Sequence, residues 1–157
     1  MKDVSRALLL APAVFVLHFV EESPGFVQWF NSHVARGITP GLFWTVNLTA
    51  LVITVAVVLF EWFSRTPLSL GVALGWLSFL MAANAVFHVA GALVDRRYVP
   101  GLFTAILLYA PYYVWLFMKA LKTRRLTAAA LLAAAVPCSL PMLIHGYLIL
   151  LRGDRLF

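Results

Sequence analysis

Apolar residues occur along this chain in five long runs, separated by short polar or helix-breaking segments. A helix needs about 20 apolar residues to cross a bilayer, with a range of about 17 to 25. Backbone N–H and C=O groups inside lipid must bond within their own segment, so each run is predicted to be a helix. The pattern predicts an all-α, five-helix transmembrane bundle forming a single integral membrane domain over residues 1–157, with spans at about 4–22, 42–62, 68–94, 100–118 and 126–151.

A shorter amphipathic segment connects the first two spans. Ser23 suits an N-cap, Pro24 suits the first helical position and Gly37 suits a helix end, so a short helix is predicted over about 24–36. Its apolar residues recur at helical spacing, which is typical of a helix lying in the plane of the membrane interface. This helix would cover the membrane end at which the first span finishes and the second begins.

The first run has one feature of a secretory signal, since Lys2 and Arg6 precede it. The small residues at 11–13 come too early for a cleavage site, however, and the apolar run continues to Val20. A transmembrane span is therefore the better interpretation.

Composition supports a membrane protein, because 63% of the residues are hydrophobic and only 11% are charged. The net charge of +6 lies in the gaps between apolar runs and forms no patch, so the expected partner is the lipid bilayer and no nucleic acid is expected. The single cysteine, Cys138, excludes an internal disulfide and is expected to pack in the bundle.

Lysine and arginine residues that flank the spans predict the topology. With the N-terminus in the cytoplasm, seven basic residues lie inside and five lie outside. The predicted protein is multi-pass in the cell's inner (cytoplasmic) membrane, with its N-terminus cytoplasmic and its C-terminus outside. The inside residues are Lys2, Arg6, Arg65, Lys119, Lys122, Arg124 and Arg125, and the outside residues are Arg36, Arg96, Arg97, Arg152 and Arg155.

Three ionisable residues end the first span: His18, Glu21 and Glu22. Near the bilayer middle such groups cost about 2.5–3.5 kcal/mol on insertion scales, and by default they mark functional sites. At about 100° per residue, Glu22 lies about 40° from His18 and Glu21 about 60° to the other side, so all three share one face. The alternatives are a structural hydrogen bond or a solvated helix end, and Glu21 is the glutamate that fits the second of these better.

Polar residues in three other spans fall at the same depth. His18, His88 and His145 each lie about four to six residues, or about 6–9 Å, before the end of parallel helices. Asn47 lies about five residues after the start of the antiparallel second span, and Asn84 is one turn before His88. These positions predict a common polar centre on one side of the bilayer.

Imidazoles and carboxylates together form the ligand set of divalent zinc, with iron and manganese as alternatives. A glutamate that is left over from ligation can act as a general base on activated water, so Glu21 and Glu22 are the candidate catalytic residues. Asn47 and Asn84 are expected to support the site through hydrogen bonds between helices. The expected metal ligands are His18, Glu22, His88 and His145.

The string His18-Phe19-Val20-Glu21-Glu22, at the end of a first apolar helix, resembles the signature of the HXXEE family of small bacterial and archaeal polytopic membrane proteins. The resemblance implies that His18, Glu21 and Glu22 are the signature residues, but the family has no assigned reaction. The spacing is also similar to the His-x-x-Glu-His motif of inverted zinc peptidases, although position 22 is glutamate where those enzymes have histidine. A peptidase is therefore not favoured.

Three functions remain open for the predicted centre. The first is a metal-dependent enzyme that performs hydrolysis or acid/base chemistry on a lipid, an isoprenoid-like substrate or another hydrophobic small molecule entering between helices. The second is a proton- or cation-coupled transporter. The third is a non-catalytic scaffold with a structural polar network. The shared depth of the polar residues and the covering short helix favour the enzyme, and a homo-oligomer is compatible with each function.

Overall fold

Five helices in the computed structural model, which describes residues 2–156, are long and apolar enough to cross a membrane. The prediction of an all-helical bundle with five spans is therefore confirmed. The fourth span continues furthest past its predicted end, up to the point where Arg124 adopts a left-handed backbone conformation. Lys119 lies within this helix, with its ammonium 4.8 Å from the centre of the Trp115 ring. The spans run over Val4–Glu22, Pro40–Ser64, Pro67–Asp95, Leu102–Thr123 and Ala128–Arg152.

Threonine side chains fix the starts of the second, third and fifth spans. Thr39, Thr66 and Thr127 each accept a hydrogen bond from the backbone N–H three residues later. Proline follows the first two of these caps, where its missing N–H costs no hydrogen bond. These boundaries are therefore set by residues next to one another in the sequence.

The short helix between the first two spans runs over Phe26–Asn31, so the predicted range of 24–36 was wrong at both ends. The Ser23 hydroxyl donates to the carbonyl of Val20 and does not cap the helix that follows. The Asn31 side chain donates to the carbonyl of Ile38 and accepts from its N–H. These two hydrogen bonds hold the chain after Asn31 in a turn, so the helix does not continue.

The third and fourth spans each contain a wider π-helical turn, at Ser78–Ala83 and Ala105–Tyr109. Such turns commonly occur at functional sites, because they rotate the side chains that follow relative to the rest of the helix. The first turn directly precedes Asn84, and the second ends at Tyr109.

The first and third spans form the interior of the bundle. About 44% and 50% of their apolar windows are buried, compared with 17% in each of the other three spans. The second span packs on the first span and on the first half of the third, while the fifth packs along the third. The histidines of the first and third spans therefore lie on the most enclosed helices.

A buried ion pair joins several segments at one end of the bundle. The Glu61 carboxylate accepts from Arg125 at 2.6 and 2.8 Å and from the hydroxyls of Ser5 and Ser69. We call these four residues the Glu61 cluster. The opposite end, where the first, third and fifth spans finish, is called the site end below.

Candidate functional site

Three ionisable side chains from two spans meet at the site end. The first span presents His18 and Glu22 on one face, and the third span brings His88 against them. One ligand-type atom from each residue lies within 4.8 Å of the others, and the three residues are 0%, 4% and 0% exposed. We call His18, Glu22 and His88 the triad.

The spacing of the triad suits a divalent metal ion. Tetrahedral zinc with bonds of about 2.0–2.1 Å separates its ligand atoms by about 3.3–3.4 Å. Glu22 Oε1 lies 3.5 Å from His18 Nε2 and 3.1 Å from His88 Nε2, on either side of that value. Two histidines and one glutamate are also a ligand set of catalytic zinc sites, which leave one position open.

A hydrogen-bond chain orients His18 towards the triad. The Thr104 hydroxyl donates its single proton to Glu21 Oε2, so it accepts from His18 Nδ1 at 2.8 Å. Neutral His18 therefore carries its proton on Nδ1 and a lone pair on Nε2. The lone pair faces Glu22, as it must in a metal ligand, and hydrogen bonding on the far side of the ring is typical of metal-bound histidine.

Glu21, one residue before Glu22, has a different environment and lies outside the triad. It accepts hydrogen bonds from the hydroxyls of Tyr98 and Thr104 and from the backbone N–H groups of Phe103 and Thr104. These bonds cap the start of the fourth span. Burial and the hydrogen bond to Glu21 raise the pKa of Tyr98 to about 12, so its hydroxyl remains a donor at physiological pH.

Buried polar atoms without a hydrogen-bond partner are concentrated around the triad. Within residues 2–156 they are His18 Nε2, both ring nitrogens of His88, Asn84 Oδ1 and the Tyr109 hydroxyl, besides Arg125 Nε at the other end. His88 Nε2 approaches Glu22 without the geometry of a hydrogen bond. Because nearly all buried polar groups in proteins are paired, this concentration indicates a place for an ion, water or ligand.

The turn before the fourth span presses directly on the triad. Gly101 has φ +93°, and a Cβ atom there would lie 2.6 Å from His88 Cε1 and 3.0 Å from Glu22 Cγ. Glycine is the residue that fits, because it tolerates this backbone conformation and has no side chain.

His145, predicted as a fourth ligand, does not join the triad. Its Nδ1 accepts from the backbone N–H of Leu156 at 3.2 Å, and its ring stacks near Phe30 with centroids 6.2 Å apart. The fifth span packs against the third and is separated from the first span by a cavity. His145 therefore lines that cavity, with Glu22 among the other lining residues.

The site cavity has a volume of about 270 Å³ and lies between the short helix and the first, second, third and fifth spans. The two asparagines predicted to support the site both line it. Asn47, however, donates to the carbonyl of Phe43 on its own helix and makes no bond between helices in the described chain. The polar lining residues are Glu22, Asn47, Asn84, His145 and Arg155.

The short helix is fixed over the site end by Asp95, the last residue of the third span. The indole N–H of Trp29 donates to Asp95 Oδ2 at 2.7 Å, and His33 Nε2 lies 2.9 Å from Oδ1. His33 therefore belongs to the attachment of this covering helix and not to the triad.

Sequence reasoning missed Thr104, Tyr109 and Gly101. Tyr109 is fully buried and stacks on His18 with ring centroids 4.0 Å apart. A signal was present, because the fourth span also begins at the site end, so its first two turns lie at the depth of the histidines. The predicted polar centre included residues of the other four spans only.

A model of a family described as proteins of unknown function with an HXXEE motif matches residues 9–116. The matched segment contains the whole triad together with Glu21, Gly101 and Thr104, and it ends before the fifth span. No curated protein and no solved structure matches the chain.

Proposed function

This chain belongs to the HXXEE family, whose function is unknown, and we propose that it is a membrane enzyme with a divalent metal held by the triad. The supporting observation is that His18 Nε2 and His88 Nε2 lie 3.5 and 3.1 Å from Glu22 Oε1 in a buried place, without a hydrogen bond to it. Two acceptors in such a buried place repel each other unless a cation or a proton lies between them. Zinc is the first choice for this ligand set, with iron and manganese as alternatives.

The proposed reaction is hydrolysis or acid/base chemistry on a lipid-like or isoprenoid-like substrate in the site cavity. A divalent ion supplies a Lewis acid and activates water at neutral pH. In hydrolysis, the water oxygen bonds to the carbonyl carbon or phosphorus, the ester bond breaks, and one water proton ends on the leaving oxygen. The reaction therefore needs no oxidant or reductant.

The protein's own residues have separate roles in this proposal. Glu22 reaches the cavity wall as well as the two histidines, so it connects the metal position to the substrate space. Asn84 lines the same cavity with a buried, unpartnered Oδ1 that can accept a hydrogen bond from substrate or water. Glu21 acts through Thr104 on His18 and is a positioning residue.

Metal content is the direct test. We expect purified wild-type protein to hold about one divalent ion per chain, and His18→Ala and His88→Ala to hold almost none. His145→Ala is the matched control, because His145 lies at the same depth but outside the triad, and it should keep the ion. Inductively coupled plasma mass spectrometry measures the ratio, and cobalt substitution reports tetrahedral ligation by visible absorption.

Glu22→Gln is a second test variant that we expect to fold, because glutamine keeps the shape of the side chain and is a weaker metal ligand. This variant should elute as the folded protein does and bind cobalt much more weakly. Wild-type protein that is purified with added zinc, yet holds no stoichiometric metal and gives no cobalt spectrum, would overturn the proposal.

A proton- or cation-coupled transporter is the second candidate, since a proton between His18 and Glu22 would also relieve the repulsion. The charged residues of the cavity, however, lie at the site end, while the Glu61 cluster joins four segments at the other end. Flux into proteoliposomes that disappears in Glu22→Gln would favour transport over catalysis. A scaffold role is supported least, because a purely structural network would not leave these polar atoms unpaired.

We propose further that the protein lies in the inner membrane with its N-terminus in the cytoplasm. The distribution of basic residues between the two ends of the spans supports this orientation. In that orientation the triad and the site cavity lie in the outer leaflet.

A further inference from the structure

We propose that the site cavity binds an amphiphile with one apolar chain and an anionic head, and that Arg155 recognises the head. This inference rests on the proposed function and names the substrate class of the same site. It concerns a residue that lies outside the triad and outside the segment matched by the family.

The lining of the cavity has one charged end and a longer, mostly apolar part, in which Asn47 and Asn84 are the polar residues. Glu22 and Arg155 both lie at the site end of the bundle. Glu22 is the last residue of the first span, and Arg155 comes three residues after the end of the fifth span. The apolar part reaches Ala50, ten residues into the second span, which corresponds to about 15 Å of helix. The cavity therefore extends from the interface to about the middle of a 30 Å hydrocarbon layer, and its long direction is parallel to the chains of the surrounding lipids.

The apolar part is rich in aromatic side chains, and the cavity is small. Six phenylalanines line the cavity, from the first three spans and the short helix. Its volume of about 270 Å³ lies just below the usual range of about 300–1,000 Å³ for small-molecule sites. A space of this size favours a ligand with one apolar chain over a diacyl phospholipid with two.

Arg155 is held over the cavity by the segment after the fifth span. The backbone N–H of Ala35 donates to the carbonyl of Gly153, and the N–H of Leu156 donates to His145. These two bonds fold the segment back against the chain that follows the short helix and against the fifth span. Arg155 is partly buried there, and within residues 2–156 no carboxylate pairs with its guanidinium.

The charge of the cavity selects an anion. Glu22 is its one acidic lining residue in the described chain, and in the proposed function its charge is balanced by the metal that it holds with the two histidines. A guanidinium presents a planar fork of N–H donors that matches the oxygens of phosphate or carboxylate. Phosphate-headed and carboxylate-headed single chains share this chemistry, and the experiment distinguishes them.

Binding is tested by calorimetric titration of the full-length protein in phosphatidylcholine nanodiscs. The probes are dodecyl phosphate, dodecanoate and dodecyltrimethylammonium, which differ in the head alone. We expect saturable binding of about one anionic probe per chain and no saturable binding of the cationic one. The tighter of the two anionic probes identifies the natural head as a phosphate or a carboxylate.

Two matched pairs of variants locate the site. Arg155→Gln should weaken anion binding about tenfold or more, while Arg152→Gln, which alters an exposed arginine nearby outside the cavity lining, should change it less than about twofold. Ala50→Phe fills the apolar part and should abolish binding, whereas Ala56→Phe places the same ring on a lipid-exposed face of the same helix and should not.

The same titration in Glu22→Gln separates this inference from the metal proposal. Arg155-dependent binding that persists in Glu22→Gln would support the cavity assignment independently of the metal, and the metal proposal is rejected only if wild-type protein holds no stoichiometric metal. Metal binding together with equal affinity for anionic and cationic probes, or with equal effects of Arg155→Gln and Arg152→Gln, would overturn the cavity assignment and leave the metal proposal standing.

Discussion

Thr104 shows how one hydroxyl determines what a neighbouring histidine can do. It donates to Glu21 and accepts from His18, so the proton of the imidazole is held on the side away from the triad. Without that acceptor His18 can carry its proton on either nitrogen, and with the proton on Nε2 no lone pair faces the proposed metal position. The paired glutamates of the motif therefore differ in role, with Glu22 in the triad and Glu21 behind it.

We predict that Thr104→Val lowers metal affinity about 10- to 100-fold, the usual effect of removing a partner behind a metal ligand. Valine has nearly the same shape and leaves the backbone bond from residue 104 to Glu21 in place. Affinity is measured by competition with a chromophoric chelator.

Thr104→Ser is the matched control for this substitution, because it keeps the hydroxyl and removes only a methyl group. It should bind metal within a few-fold of wild type. Equal affinities for the valine and serine variants would refute the tautomer argument, even if the triad itself binds metal.

The separate helices contribute to the site in unequal ways. The first span carries two members of the triad one turn apart, and the third span carries the remaining one. The fourth span brings no ionisable ligand, but its start supplies Gly101 and Thr104, which press on the triad and orient it. The second and fifth spans and the short helix enclose the cavity.

At the level of helix packing, we predict that Glu61→Gln lowers the free energy of unfolding by about 3–5 kcal/mol. The substitution leaves the Arg125 guanidinium in a largely buried place without a carboxylate partner. Metal content per folded chain should stay at the wild-type value, because the Glu61 cluster lies at the opposite end from the triad. Reversible unfolding in mixed micelles and metal analysis of the folded fraction measure both quantities.

A double variant, Glu61→Leu with Arg125→Leu, tests the reason for that loss. Replacing both partners by apolar residues should recover much of the stability, since no unpaired charge remains. A double variant as unstable as Glu61→Gln would mean that the ion pair itself is required for packing.

The element boundaries were predictable to different degrees. The spans were found within a few residues because hydropathy and threonine caps are local signals. The short helix was predicted too long because Asn31 bonds to Ile38, seven residues away, and periodicity cannot detect such a bond.

The two ends of the molecule differ in their buried polar residues. The triad lies at the site end, and the Glu61 cluster lies at the opposite end. This asymmetry makes its orientation in the membrane functionally important. We predict that alkaline phosphatase fused after the last residue is active and that green fluorescent protein fused there is dark, as expected for a C-terminus outside the cytoplasm. The reverse pattern would refute the proposed orientation and move the triad to the cytoplasmic leaflet.

The amino-acid sequence by itself determined the number of spans and the depth of their polar residues, because hydropathy and helix rise depend only on position along the chain. It also placed His18 and Glu22 on one face, since helical spacing fixes that relation. Tertiary structure decided that His88 completes the triad, that His145 does not, and that Thr104, Gly101 and Arg155 adjoin the site. The physical reason is that these relations depend on how each helix is rotated about its axis and how chain turns fold back, and both are set by packing between distant segments.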